Sequence, residues 1–108
     1  MQSLKFLDVS YNMLRYLPES IGMCKSLCVL KAVGNKIETI PESIGELYAT
    51  LEVLELNENA IRFLPKGQFG MLERLLTLNL DNNQLVEVPA CFQNFKCLQT
   101  LSIAKNRI

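Results

Sequence analysis

Four cysteines and eleven carboxylates carry most of the reactive chemistry in this 108-residue chain, and no histidine accompanies them. Cys24 and Cys28 lie four residues apart, Cys91 and Cys97 six apart. A zinc site would therefore have to gather all four thiolates from opposite ends of the sequence. Two disulfides would need an oxidising compartment. The apolar neighbours of Cys24 and Cys97 point instead to free structural thiols that fill space as a small aliphatic side chain would. Glu55 and Glu58 can be drawn as an acid and base pair, but a general base of the commonest kind is missing. No HExxH, CxxC or GxSxG pattern occurs, and Gly67-Gln68-Phe69-Gly70 has neither the length nor the lysine of a phosphate-binding loop. The Asp, Glu and Asn side chains between Glu55 and Asn82 offer hard oxygen ligands without the loop geometry of a calcium site. The residues thus predict no catalysis, no cofactor and no metal.

These side chains sit on a repeating frame. Leu75 to Leu85 reads L-L-T-L-N-L-D-N-N-Q-L, with Leu75, Leu78, Leu80, Asn83 and Leu85 at steps one, four, six, nine and eleven. The same spacing opens at Leu4, Leu27, Leu51 and Leu98, so the starts are separated by 23, 24, 24 and 23 residues. A fixed period of this size calls for a solenoid. Apolar residues at steps four and six alternate with polar ones, which is the signature of a short strand with one buried face. The amide at step nine (Asn12, Asn35, Asn59, Asn83, Asn106) comes where the chain leaves the strand. It offers both donors and an acceptor to backbone groups that have lost their partners, and the five are expected to stack as a buried ladder.

The return half of each unit is patterned too. Leu17-Pro18-Glu19-Ser20-Ile21-Gly22 and Ile40-Pro41-Glu42-Ser43-Ile44-Gly45 are near copies. Proline there opens a short helical turn, Ser or Glu is expected to cap it, and glycine releases the chain. Ile21, Ile44, Phe69 and Phe92, with Leu47, Leu72 and Phe95 a turn later, point to the core. The extra residue of the second unit falls near Tyr48-Ala49-Thr50, and that of the third near Lys66-Gly67-Gln68.

Charge narrows the partners. Lys plus Arg equals Asp plus Glu at 11 each, so no uniform basic field draws nucleic acid or anionic lipid. No apolar run approaches the length of a membrane span, and Met1 to Ser10 lacks a signal-peptide core. With no Asn-X-Ser/Thr acceptor present, a cytoplasmic location is expected.

The motif L-x-x-L-x-L-x-x-N-x-L followed by L-P-x-x-I-G resembles the leucine-rich repeat family. In particular it resembles the intracellular 23-residue subclass of Ras-binding scaffolds, Scribble-type proteins and plant Ras-group repeats. Departures are Ala32 at a leucine step, Gly67-Gln68-Phe69-Gly70 in the third unit, and Cys91-Phe92-Gln93-Asn94 without its glycine. The resemblance implies an α/β solenoid, a horseshoe with short parallel strands on the concave face and short helical or 3-10 turns on the convex face. It covers one domain, residues 1–108, in units 4–26, 27–50, 51–74, 75–97 and an incomplete 98–108. Only Met1-Gln2-Ser3 precede the first repeat, so the expectation is a piece of a longer array without caps. Leu4, Leu7, Val9, Leu101, Ile103 and Ile108 would lie at open ends and favour self-association.

By the same resemblance a protein partner docks on the concave face, where steps three, five, seven, eight and ten project. Phe6, Tyr11, Met13, Val29 and Val33 form an apolar cluster of the kind enriched at interfaces. Glu55, Asn57, Glu58, Asn79, Asp81 and Asn82 form an acidic patch suited to a basic segment. Asp8, Lys31, Val53 and Thr77 complete the candidate face. The expected function is a scaffold for protein binding in signal transduction. The alternative is a regulatory or sensor segment of a larger signalling kinase, GTPase or ligase.

Overall fold

In a computed structural model that describes residues 3–65, 68–87, 92–93 and 95–107, every repeat places its strand at steps three to five. The strands are β1 (Phe6–Asp8), β2 (Val29–Lys31), β3 (Val53–Glu55), β4 (Thr77–Asn79) and β5 (Thr100–Ser102). They form one parallel sheet in chain order. Register is constant, so equivalent steps pair: Phe6, Val29, Val53, Thr77 and Thr100 make one row, and Asp8, Lys31, Glu55, Asn79 and Ser102 another. The central leucine of each inner strand, Leu30, Leu54 or Leu78, is buried, while its neighbours are partly exposed. The alternation predicted for a one-sided strand is therefore present in three residues.

Return segments build the opposite wall. Three 3-10 helices, Glu19–Met23, Glu42–Leu47 and Gln68–Met71, stack on one another. The helical turns of the described residues are thus 3-10 rather than α, as suits pieces too short for α hydrogen bonding. Pro18 and Pro41 occupy the N-cap positions, and neither helix has the side-chain cap expected of Ser or Glu. Instead the Ser43 hydroxyl donates to the Glu19 carbonyl of the preceding turn at 2.7 Å. Ser43 therefore links units rather than capping its own. Gly22 lies against it so closely that a Cβ would meet the Ser43 carbonyl oxygen at 2.5 Å.

Between the walls runs one core, with Leu27, Leu51, Leu75, Ile37, Ile61, Ile44 and Phe69 at its centre. The second unit absorbs its extra residue in a turn at Tyr48–Thr50, where the amides of Thr50 and Leu51 both donate to the Leu47 carbonyl. Lys66 and Gly67, where the third unit's extra residue was expected, lie outside the described residues, as do Cys91, Asn94 and Ile108.

The step-nine amides join one unit to the next. The Oδ1 atoms of Asn35, Asn59, Asn83 and Asn106 accept the amides of Leu14, Ile37, Ile61 and Leu85 at 3.0 Å. Their Nδ2 atoms donate back to Val9, Ala32, Leu56 and Leu80 of the preceding unit. Burial is graded rather than uniform. Asn35 and Asn83 are buried, Asn59 and Asn106 half-buried, and Asn12 is exposed. Asn12 departs from the expected buried ladder: among the described residues its Nδ2 donates only within its own turn, to Val9 and Ser10.

Candidate functional site

Short strands on a fixed register leave one face of the sheet open, and its side chains sort into rows. Across the strand starts Phe6, Val29 and Val53 give three adjacent apolar side chains before the row turns to Thr77. Phe6 is 54% exposed, and Tyr11 and Met13 are exposed at the following turn. Val29, Val33 and Val53 are partly exposed. The register sets Phe6 beside Val29 and Val29 beside Val53, and the Tyr11 amide donates to the Val33 carbonyl of the next unit.

In the next row Asp8, Lys31 and Glu55 are register neighbours. The Lys31 ammonium lies 5.7 Å from the centre of the Phe6 ring, within cation–π range. Asp8 is held below the ordinary carboxylate range, chiefly by the Ser10 hydroxyl and backbone amide that donate to it, with Lys31 adding a smaller electrostatic contribution.

The acidic patch divides by role. Asp81 Oδ1 accepts the Ser102 hydroxyl and the Ala104 amide, and Asn79 Oδ1 accepts the Asp81 amide. Asp81 is thus committed to joining units four and five, and Asn79 to holding the turn of its own unit. Glu55 and Glu58 carry no such bonds. The ion pairs of the described residues are Lys25 with Glu46 at 2.8 Å and Arg74 with Glu52 at 3.8 Å, both away from this row. The patch free to meet a partner is therefore smaller than its composition implied.

Step eight has a backbone role that the spacing alone did not reveal. Tyr11, Gly34, Glu58, Asn82 and Lys105 all adopt positive φ, between 56° and 68°. Each turn must reverse inward there, and only Gly34 and Asn82 are residue types that visit this region readily. Those two residues were the available signal. Outside the expected face, Tyr16 and Phe63 stand exposed at step thirteen, where Tyr16 bridges Thr39; the eleven-step motif ended before reaching them.

The thiols follow repeat position rather than local composition. Cys24 is 1% exposed at the step where the next units place Leu47, Leu72 and Phe95. Cys97 is exposed and Cys28 intermediate. Cys97 precedes the first strand leucine, a step occupied elsewhere by Ser26, Thr50 and Arg74, so its apolar neighbours misled the burial expectation. Among the described residues no group of three or more Cys, Asp or Glu is placed to hold a metal ion.

Comparison with known proteins agrees with this architecture. A family described as leucine rich repeat matches residues 49–108, and a second of the same description matches residues 3–24. Toll-like receptor 6 of Bos taurus is 37% identical over the whole of this chain, which spans 13% of that protein. Lumican of Bos taurus is 34% identical over 89% of the chain, which spans 28% of lumican. Among solved structures, a leucine-rich repeat protein of Leptospira interrogans superimposes with TM-score 0.91 and 38% identity, over 97% of this chain and 26% of that one. The plant peptide hormone receptor RGFR1, in complex with RGF2, gives TM-score 0.86 and 34% identity over 97% of this chain and 17% of its own.

Proposed function

This chain belongs to the leucine-rich repeat family, and from that premise we propose that it is a docking module that receives a protein partner on its concave sheet and performs no chemistry of its own. The observation that carries the reading is the open row of Phe6, Val29 and Val53 beside Tyr11 and Met13. Three of these side chains, Phe6, Tyr11 and Met13, are more than half exposed on a sheet whose inner leucines are fully buried. Large apolar groups kept outward on a rigid surface are the usual anchors of an interface. A structural neighbour solved as a receptor in complex with RGF2 supports a docking role for the fold.

The test is capture of partners by the intact chain, identified by mass spectrometry and repeated with two double variants. Phe6→Ala with Tyr11→Ala is expected to weaken capture by about tenfold or more. Glu55→Lys with Glu58→Lys is expected to slow association. Asp81 is left alone because its bonds to unit five would confuse folding with binding. Unchanged capture by both variants removes the concave face from consideration.

Within this proposal the chain is of the intracellular 23-residue subclass and works in the cytoplasm as a signalling scaffold. The lack of a glycosylation acceptor and the free thiols support that placement. Because the chain spans only 13% and 28% of the relatives described above, the alternative stands beside it: a regulatory segment whose catalytic domain lies elsewhere in a longer protein. Self-association through the end units has its own support, since Leu101 is 40% exposed where Leu30, Leu54 and Leu78 are fully buried. Light scattering reads it directly, and a dilute monomer at all concentrations refutes it.

A further inference from the structure

The step-eight row brings Tyr11, Gly34 and Glu58 onto three successive repeats. Their amides donate in the same way to the next unit, to the carbonyls of Val33, Asn57 and Asp81. Successive positions are thus one strand spacing apart, about 4.8 Å. Gly34 has no Cβ, and the Tyr11 ring fills that space: a Cβ there would collide with Cδ1 and Cε1 of the ring. Tyr11 therefore leans along the row toward Glu58 while remaining 71% exposed. Glu58 is exposed too, with no ion pair among the described residues.

The same sheet shows what such a pairing holds. One row away, Lys31 sits over the Phe6 ring with Asp8 and Glu55 as its register neighbours. Aromatic ring, carboxylate and cation are all supplied there by the chain itself. Tyr11 and Glu58 repeat the ring and the carboxylate but lack the cation. At the concave positions of units three and four (Val53, Glu55, Asn57, Glu58, Ala60, Thr77, Asn79, Asp81, Asn82, Gln84) no lysine or arginine occurs; of the two lysines at the concave positions of unit two, Lys31 sits over Phe6 and Lys36 makes no ion pair among the described residues.

We propose that Tyr11, seated over Gly34, and Glu58 form a subsite for an arginine side chain of the docked polypeptide, with the guanidinium against the ring and its N–H groups on the carboxylate. Arginine fits better than lysine because its flat, weakly hydrated group stacks on aromatic rings and donates two parallel bonds to a carboxylate. Gly34 is a positioning residue, since it gives the ring its seat. The subsite rests on concave docking and adds the chemistry of one contact to it.

The experiment titrates the isotope-labelled 108-residue chain with N-acetyl-arginine amide and, separately, with its neutral isostere N-acetyl-citrulline amide, following backbone amide shifts. Saturating shifts at Tyr11, Gly34 and Glu58 with the arginine compound alone are expected. Glu58→Gln and Tyr11→Leu should each raise its Kd by roughly two- to fivefold, with shifts elsewhere in the spectrum unchanged as the check on folding. Equal shifts with the citrulline compound, shifts centred elsewhere, or indifference to both variants overturns the subsite. Concave docking is judged apart from this, by capture with Phe6→Ala alone and Glu55→Lys alone, which leave Tyr11 and Glu58 in place, so the two can fail separately.

Discussion

Replacing Asn83 with alanine should be among the most damaging single truncations of a polar side chain in this protein. Asn83 Oδ1 accepts the Ile61 amide at 3.0 Å, and Nδ2 donates to the carbonyls of Leu56, Leu80 and Asp81. The three carbonyls do not lose everything. Leu56 still accepts Asn59 Nδ2, Leu80 still accepts Asn106 Nδ2, and Asp81 still accepts the Glu58 amide. The Ile61 amide, on a fully buried residue, loses its acceptor. A stranded buried donor costs about 1–3 kcal/mol, and the lost second bonds bring the total to roughly 2–3 kcal/mol. In urea unfolding that lowers the midpoint by roughly 1–2 M at constant slope. Asn12→Ala is the control, since Asn12 is exposed and the Val9 carbonyl keeps its bond from Asn35; its cost should stay under about 0.5 kcal/mol. Equal losses for the two variants, or a neutral Asn83→Ala, would refute the ladder as the source of stability.

Other consequences can be checked alongside. Gly22→Ala drives a methyl into the Ser43 backbone and should cost about 1–3 kcal/mol of stability by overpacking, measured by the same unfolding. Under native conditions a thiol reagent should modify Cys97 rapidly and Cys24 only on unfolding, with Cys28 between them; fast labelling of Cys24 contradicts the packing of unit one. Asp8 titrates below its ordinary value because Ser10 bonds its charged form. Its contribution to stability is therefore present above the unfolded-state pKa and lost as pH falls through the lower folded value. An NMR pH titration should show the Asp8 pKa rising toward normal in Ser10→Ala, and no change there refutes the assignment.

Much of the scaffold was legible because it depends on side-chain type at fixed steps. Leucines at one, four and six and the amide at nine specify strand, register and the bonds between units, and all of these recur whatever lies between them. What escaped was set by backbone geometry or by contacts across units. Positive φ at step eight is masked where Tyr11, Glu58 and Lys105 occupy it, since these types do not announce a left-handed turn. The burial of Cys24 against the exposure of Cys97 depends on position within the repeat, and apolar neighbours in sequence carry no information about it. Ser43 was read as a cap from its place near a helix start, yet its hydroxyl finds a free carbonyl one unit back.

The polar rows show why composition overstates a binding face. In unit one Asp8 accepts the Ser10 amide, and the Ser10 hydroxyl oxygen accepts the Val33 amide of the next unit. In unit four Asn79 accepts the Asp81 amide, and Asp81 accepts the Ala104 amide. The two units share one device: a step-five oxygen satisfies its own turn, and a step-seven oxygen reaches forward. Unit three breaks it. Asn57 is placed to reach forward, but the Asp81 amide it would meet is already taken by Asn79, and Asn57 Oδ1 is left buried without a partner. Asp8, Ser10, Asn79 and Asp81 are thus held by the turns, and their mutation would register first as stability. Among the side chains that remain free to choose a partner are the apolar row from Phe6 to Val53, the Tyr11 ring, Met13, and the carboxylates of Glu55 and Glu58. A fixed sheet that presents so few unrestrained groups loses little conformational entropy when they are engaged, and specificity then rests on those residues rather than on the breadth of the face.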